Sequence, residues 1–178
     1  MEFKPDQTIN KLILLFVMDK MEIPLTENSI LDICTSRNTW INYMECKELM
    51  WQLLESGFLY KTEGDENENR YNITYEGRNC LSHFYKRIPL SLRETITEFT
   101  KQNRMSVKRS QEYLSDYSKN ADGSFTMHLK IRSSVLNEAM FEIKIKAPSR
   151  NSAMNACKIW QENAPTVYES IYDTLINE

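Results

Sequence analysis

An α+β fold in two parts is what the 178-residue sequence predicts, and three observations carry that reading. Residues 1–89 read as three helices, a hairpin and a fourth helix. Residues 90–178 read as a linking helix, a small antiparallel sheet of alternating strands and two apolar-striped C-terminal helices that cover it. Pro89 separates the two parts, and a chain that is 41% hydrophobic and 26% charged suits two small cores.

In the first part, Asp6 can cap a helix whose apolar residues Ile9, Leu12, Ile13, Phe16 and Val17 recur at helical spacing up to Lys20. Thr26 is a second N-cap, with Leu25 and Ile30 as a hydrophobic staple, opening a short helix that ends near Ser36. Asn42 with Glu45 three residues on resembles a capping box, and the helix it opens runs to Ser56 and stops at Gly57, which can take the left-handed conformation. Phe58–Lys61 and Arg70–Ile73 are β-type runs joined by a polar, turn-rich loop. Thr74 then caps a fourth helix that reaches His83 and Tyr85.

The second part opens with a helix from Ser91 to about Lys101, followed by a strand around Gln111–Tyr117 and a turn at Asn120–Gly123. Phe125, Met127, Leu129 and Ile131 alternate with polar neighbours, as do Phe141, Ile143 and Ile145, so each run is half-buried. Lys130, Arg132, Lys144 and Lys146 share the outward face with His128 and Glu142, a solvated sheet face or a place for an anion. After Ser149 one stripe holds Ala153, Ala156, Cys157 and Trp160, and Pro165, suited to a first helical position, begins a further helix with Val167, Tyr168, Ile171, Tyr172 and Leu175.

Composition narrows the function classes. A formal charge of −3 gives no global attraction to polyanions, so nucleic-acid binding needs a local basic patch. The four cysteines, Cys34, Cys46, Cys80 and Cys157, lack the spacing of a zinc site and read as buried free thiols. The longest apolar run, Leu12–Met18, is too short to span a bilayer and follows no signal peptide, so a cytoplasmic setting and no membrane partner are expected. With only His83 and His128, four glycines, and no GxSxG, P-loop, HExxH or dinucleotide fingerprint, no catalytic residue, metal or cofactor is expected.

At 100° per residue, Cys46, Leu49, Met50, Leu53 and Gly57 share the inward side of the third helix. Met44, Lys47, Glu48, Trp51 and Glu55 take the outward side. Between Trp40 and Asn69, seven acids (Glu45, Glu48, Glu55, Glu63, Asp65, Glu66, Glu68) stand against Lys47 and Lys61, a net of −5. Phosphate contact depends on cations that release counterions, so this surface repels DNA at low salt. Basic residues lie elsewhere: Lys86, Arg87 and Arg93 flank Pro89, and Lys101, Arg104, Lys108 and Arg109 follow with no acid from Lys101 to Ser110.

The LLESGFL junction, the hairpin and the Tyr-Asn-Ile-Thr-Tyr-Glu-Gly entry to the next helix make residues 1–89 resemble a winged helix-turn-helix domain. Over the whole chain, the NKLILLFVMDKMEIPLT opening and the IKAPSRNSAMNACKIWQENAPTVYESI ending resemble a bacterial winged-helix family filed as domain of unknown function 4364. The resemblance implies a winged-helix unit (1–89) joined to an α/β unit (90–178) and a role in transcription. The acidic tip at Asp65–Glu68 departs from wings that bind phosphate.

Two functions are expected from these residues. In the first, a DNA-binding transcriptional regulator reads double-stranded DNA with Asn38, Thr39, Asn42, Tyr43, Lys47, Gln52, Lys61 and Arg70, and the C-terminal unit dimerises or senses a ligand. The homodimer would use the last helix, where Tyr168, Ile171, Tyr172 and Leu175 have apolar surface to spare. The alternative is a protein-interaction module that does not bind DNA and presents Met44, Glu48, Trp51 and Glu55 to a protein partner.

Overall fold

The computed structural model describes residues 7–64, 68–133 and 136–176. Two compact units divide the chain, Met1–Val107 and Lys108–Glu178. The sequence reading places the boundary at Pro89. The first part of the linking helix stays with unit 1, however, because Ile96 and Val107 are buried in its core.

Helix α1, Gln7–Met21, is buried without a break from Leu12 to Met18, as a helix surrounded on all sides must be. Its expected cap, Asp6, lies outside the described residues. Strand β1, Leu25–Thr26, leads into α2, Glu27–Leu31, whose first turn is closed by the Thr26 hydroxyl accepting from Ser29 N–H at 3.2 Å. A wider π-helical turn, Asp32–Arg37, follows. After it the Cys34 carbonyl accepts from both Trp40 N–H (3.1 Å) and Ile41 N–H (3.2 Å), turning the chain toward α3.

Helix α3, Tyr43–Glu55, buries Cys46, Leu49, Met50 and Leu53, the inward stripe read from the sequence. The Asn42 side chain caps Met44 N–H at 3.0 Å. The other half of the expected capping box is replaced: the Glu45 carboxylate accepts from Asn10 Nδ2 at 2.8 Å and so ties α3 to α1. At the far end Gly57 takes φ of 73°, Gly57 N–H donates to Leu54 O and Phe58 N–H to Leu53 O, the paired bonds of a Schellman motif.

Strands β2, Leu59–Thr62, and β3, Arg70–Ile73, pair antiparallel with Leu59 opposite Ile73, and β1 adds to the other side of β3, giving the order β1-β3-β2. Helix α4, Tyr75–Phe84, starts at Thr74, whose hydroxyl accepts from Gly77 N–H (3.0 Å) and donates to Gly57 O (2.7 Å). A Cβ at Gly77 would lie 2.3 Å from Phe58 O, so the close approach of α4 to the end of α3 requires glycine. Helix α5, Leu90–Glu112, runs past the expected end at Lys101. Its continuation is anchored where Val107 is buried and where Arg104 donates to Lys20 O at 2.8 Å and pairs with Glu22 at 2.7 Å.

Unit 2 holds β4, Tyr113–Lys119, β5, Phe125–Arg132, and β6, Ala139–Ala147, antiparallel in the order β4-β5-β6. The expected alternation holds: Met127 opposes Ile145, Leu129 opposes Ile143 and Ile131 opposes Phe141 on one face. Gly123, at φ of 84°, completes the β4–β5 turn. Arg132 departs from the outward set because the register shifts after Ile131; it is buried and donates to Asn137 O at 3.1 Å.

One helix, not two, covers this sheet. α6, Arg150–Leu175, is continuous through Pro165. A proline in a helix interior removes one backbone bond and crowds the preceding turn, a cost of about 3 kcal/mol. The same aromatic ring holds the helix on both sides of it, since Phe141 stacks on Trp160 at 6.2 Å and meets Tyr168 edge-on at 5.7 Å. No helix among the described residues is long and apolar enough to cross a membrane.

Candidate functional site

The outward side of α3 is the expected interface, and its geometry follows from two fixed ends. Asn42 caps one and the Schellman turn at Gly57 closes the other, while four side chains anchor the inner face. Met44, Lys47, Glu48, Trp51 and Glu55 therefore stand exposed on a rigid element. Met44 keeps 73% of its surface exposed and Trp51 59%. At the N-terminal end, Gln7, Asn42, Tyr43, Met44, Lys47 and Glu48 line a groove of 760 Å³.

The cations of this region are tied to carboxylates. Lys47 Nζ lies 3.1 Å from Glu27, and this hydrogen bond with its attraction holds the lysine pKa above the usual range. Arg37 Nε lies 2.6 Å from Asp32, and Lys61 Nζ 3.3 Å from Glu63. Such exposed pairs are worth ~0–1 kcal/mol, so each cation can exchange partners at little cost. Gln52 donates to Glu48 at 3.0 Å.

Of the expected DNA contacts, Thr39, Asn42, Tyr43, Lys47 and Lys61 are exposed. Asn38 is half-buried and donates to Ile33 O at 3.0 Å, a structural bond that ends the π-helical turn. Arg70 is 1% exposed on the central strand of its sheet and offers no surface to a partner. Asp65 and Glu66 of the acidic tip lie outside the described residues. The basic run does not supply a clamp at Arg104, which is engaged at the Lys20 end of α1. The N-terminal end of α3 meets α1 at Asn10, the other end of a 15-residue helix about 22 Å long.

One participant was not legible in the sequence. Glu27, which neutralises Lys47, is 20 positions away and carries no motif.

Elsewhere in unit 1 a groove of 740 Å³ has Phe16, Leu81 and Leu90 in its lining, with Arg78 paired to Asp19 (3.3 Å) and Arg93 over the Tyr85 ring (5.1 Å). Cys34 and Cys46 are buried, Cys80 and Cys157 half-buried, and all four are free. The hydrogen bond to Cys46 and burial push the Cys34 thiol well up, which keeps it protonated and unreactive. Among the described residues no group of three or more His, Cys, Asp or Glu side chains could hold a metal ion.

A family model described as a domain of unknown function (DUF4364) matches residues 10–175. The chain belongs to this family. No curated protein and no solved structure matches it. The DUF4364 match takes in α3, the hairpin and all of α6, so both units are family features rather than additions to it.

Proposed function

We propose that the first unit of this DUF4364 protein is a winged-helix domain and that the protein works by binding, as a transcriptional regulator that docks α3 on double-stranded DNA. The observation that carries this reading is the chain order: three helices with β1 between the first two, then a hairpin, in a sheet ordered β1-β3-β2. In winged helices of this order the third helix enters the major groove with its N-terminal residues on base edges. Thr39, Asn42, Tyr43 and Lys47 occupy that end of α3 and are exposed. Arg70 has no part in the reading, and Arg37, Lys47 and Lys61 can contribute phosphate contacts once they leave their carboxylates. Lys47→Glu is expected to weaken DNA binding about tenfold or more in an anisotropy titration. Unchanged affinity would remove α3 from the interface.

A specific observation favours a second reading. Met44 and Trp51 are large apolar side chains exposed on one ridge of α3, with Glu48 and Glu55 beside them. Exposed anchors of this type, rimmed by acids, suit a basic protein partner better than phosphate. Under this reading Trp51→Ala abolishes capture of the partner and Lys47→Glu leaves it intact.

A further inference from the structure

Among the described residues, strand β6 is an edge of the unit 2 sheet: it pairs with β5 on one side only, in regular register from Phe141 to Ala147, a stretch without proline. An edge strand of that length presents a row of backbone donors and acceptors that can template pairing with another strand. Its apolar face is incompletely covered. α6 packs mainly on β4 and β5, with Ser115 and Lys130 bonded to Cys157 and Trp160, and reaches β6 at Phe141. Further along, Ile143 is half-buried and Ile145 keeps 42% of its surface exposed, although both point to the face that carries the helix.

The sequence of β6, Ala-Met-Phe-Glu-Ile-Lys-Ile-Lys-Ala, is complementary to its own antiparallel reverse when centred on Ile143. In that register Glu142 of each copy opposes Lys144 of the other and Ile145 opposes Phe141, all within the regular part of the strand after the irregularity at Met140. A shared apolar face requires odd residues to oppose odd ones. Centring on Glu142 sets glutamate against glutamate, and centring on Lys144 sets lysine against lysine; the Ile143 centre has two opposite-charge pairs and no like pair. Directly opposed charges of one sign destabilise a strand pair, and opposite charges stabilise it.

We propose that β6 binds a second copy of this chain edge to edge, with the two-fold axis at Ile143, to make one continuous six-stranded antiparallel sheet. The interface is isologous, so each contact occurs twice. Ile145 then buries against Phe141 of the other copy, a ring already packed by Trp160 and Tyr168. This surface differs from the end of α6 that the sequence suggested, and it is independent of what α3 binds.

The test is sedimentation equilibrium of the full chain with single and double charge exchanges. The wild type is expected at twice its 21.1 kDa chain mass at micromolar concentration. Glu142→Lys and Lys144→Glu each create two like-charge oppositions per dimer and are expected to raise the dissociation constant roughly tenfold or more. The double exchange E142K/K144E restores the pairs and is expected to restore the dimer. Circular dichroism of each variant checks that unit 2 is folded. A monomeric wild type, single exchanges that leave the dimer unchanged, or a folded double exchange that stays monomeric would overturn the proposal.

Discussion

Unit 1 surrounds α1 with α3, α4, α5 and a three-stranded sheet, whereas unit 2 lays one helix across a sheet of the same strand number. The contrast shows in what each encloses. Unit 1 buries α1 from Leu12 to Met18 without a break, and most of its Leu, Ile and Met residues with it. Among the described residues, the buried apolar cluster of unit 2 consists of Met127, Leu129, Ala147, Ala153, Trp160 and Ala164, three of the six being alanine, which adds little area. A small unit with a thin core and an open strand gains by adding surface from another chain. A unit whose core closes on itself can leave a tryptophan and a methionine on its outer face for a different purpose.

Equivalent truncations in the two units test this contrast with the largest expected effect. Leu49→Ala, at a fully buried position on α3, is expected to cost about 4 kcal/mol in chemical denaturation, with a midpoint that does not depend on protein concentration. Leu129→Ala is expected to cost about 2 kcal/mol and to leave a midpoint that rises with concentration, since association stabilises unit 2 by mass action. Equal costs and no concentration dependence in either variant would erase the distinction.

A smaller effect sharpens the account of how α3 is held. Gly77→Ala forces a methyl group against the Phe58 carbonyl and is expected to cost about 2 to 3 kcal/mol, read as a lower melting temperature. Thr74→Ala removes both the α4 cap and the bond to Gly57 O, for about 1 kcal/mol. A neutral Gly77→Ala would mean that α4 can shift away from the end of α3 without loss.

Smallest of all is the expected stability change of Trp51→Ala, within about 0.5 kcal/mol, because the ring is mostly exposed. A fall of several kcal/mol would make Trp51 part of the core and remove it from any docking surface.

How much of this was readable beforehand depended on whether the deciding contact is local. The caps at Thr26, Asn42 and Thr74 and the turn at Gly57 are set by residues within a few positions, and each is where the sequence places it. The alternation of β5 and β6 is a period-two pattern and was equally plain. The continuity of α6 through Pro165 was not, because Phe141, which holds both sides of the proline, lies two dozen positions before it. The same holds for Glu45, whose partner is Asn10 rather than its own helix start, and for α5, extended by Arg104 bonding to Lys20. At the α3 face the sequence supplies the exposed ridge and the excess of acids, but not the pairing of Lys47 with Glu27.

The docking of α3 on DNA is tested most directly by fluorescence anisotropy of random duplex DNA with the purified protein across a salt series. Three cations of unit 1, Arg37, Lys47 and Lys61, are held only by exposed ion pairs and can turn to phosphate, and each neutralised phosphate contributes about −0.9 to the slope of log affinity against log salt. Binding at low salt with a slope no steeper than about −3 is the predicted result. A slope twice as steep would place the contacts on another basic surface, and no anisotropy change at low salt would contradict DNA docking and leave the Met44–Trp51 ridge to a protein partner.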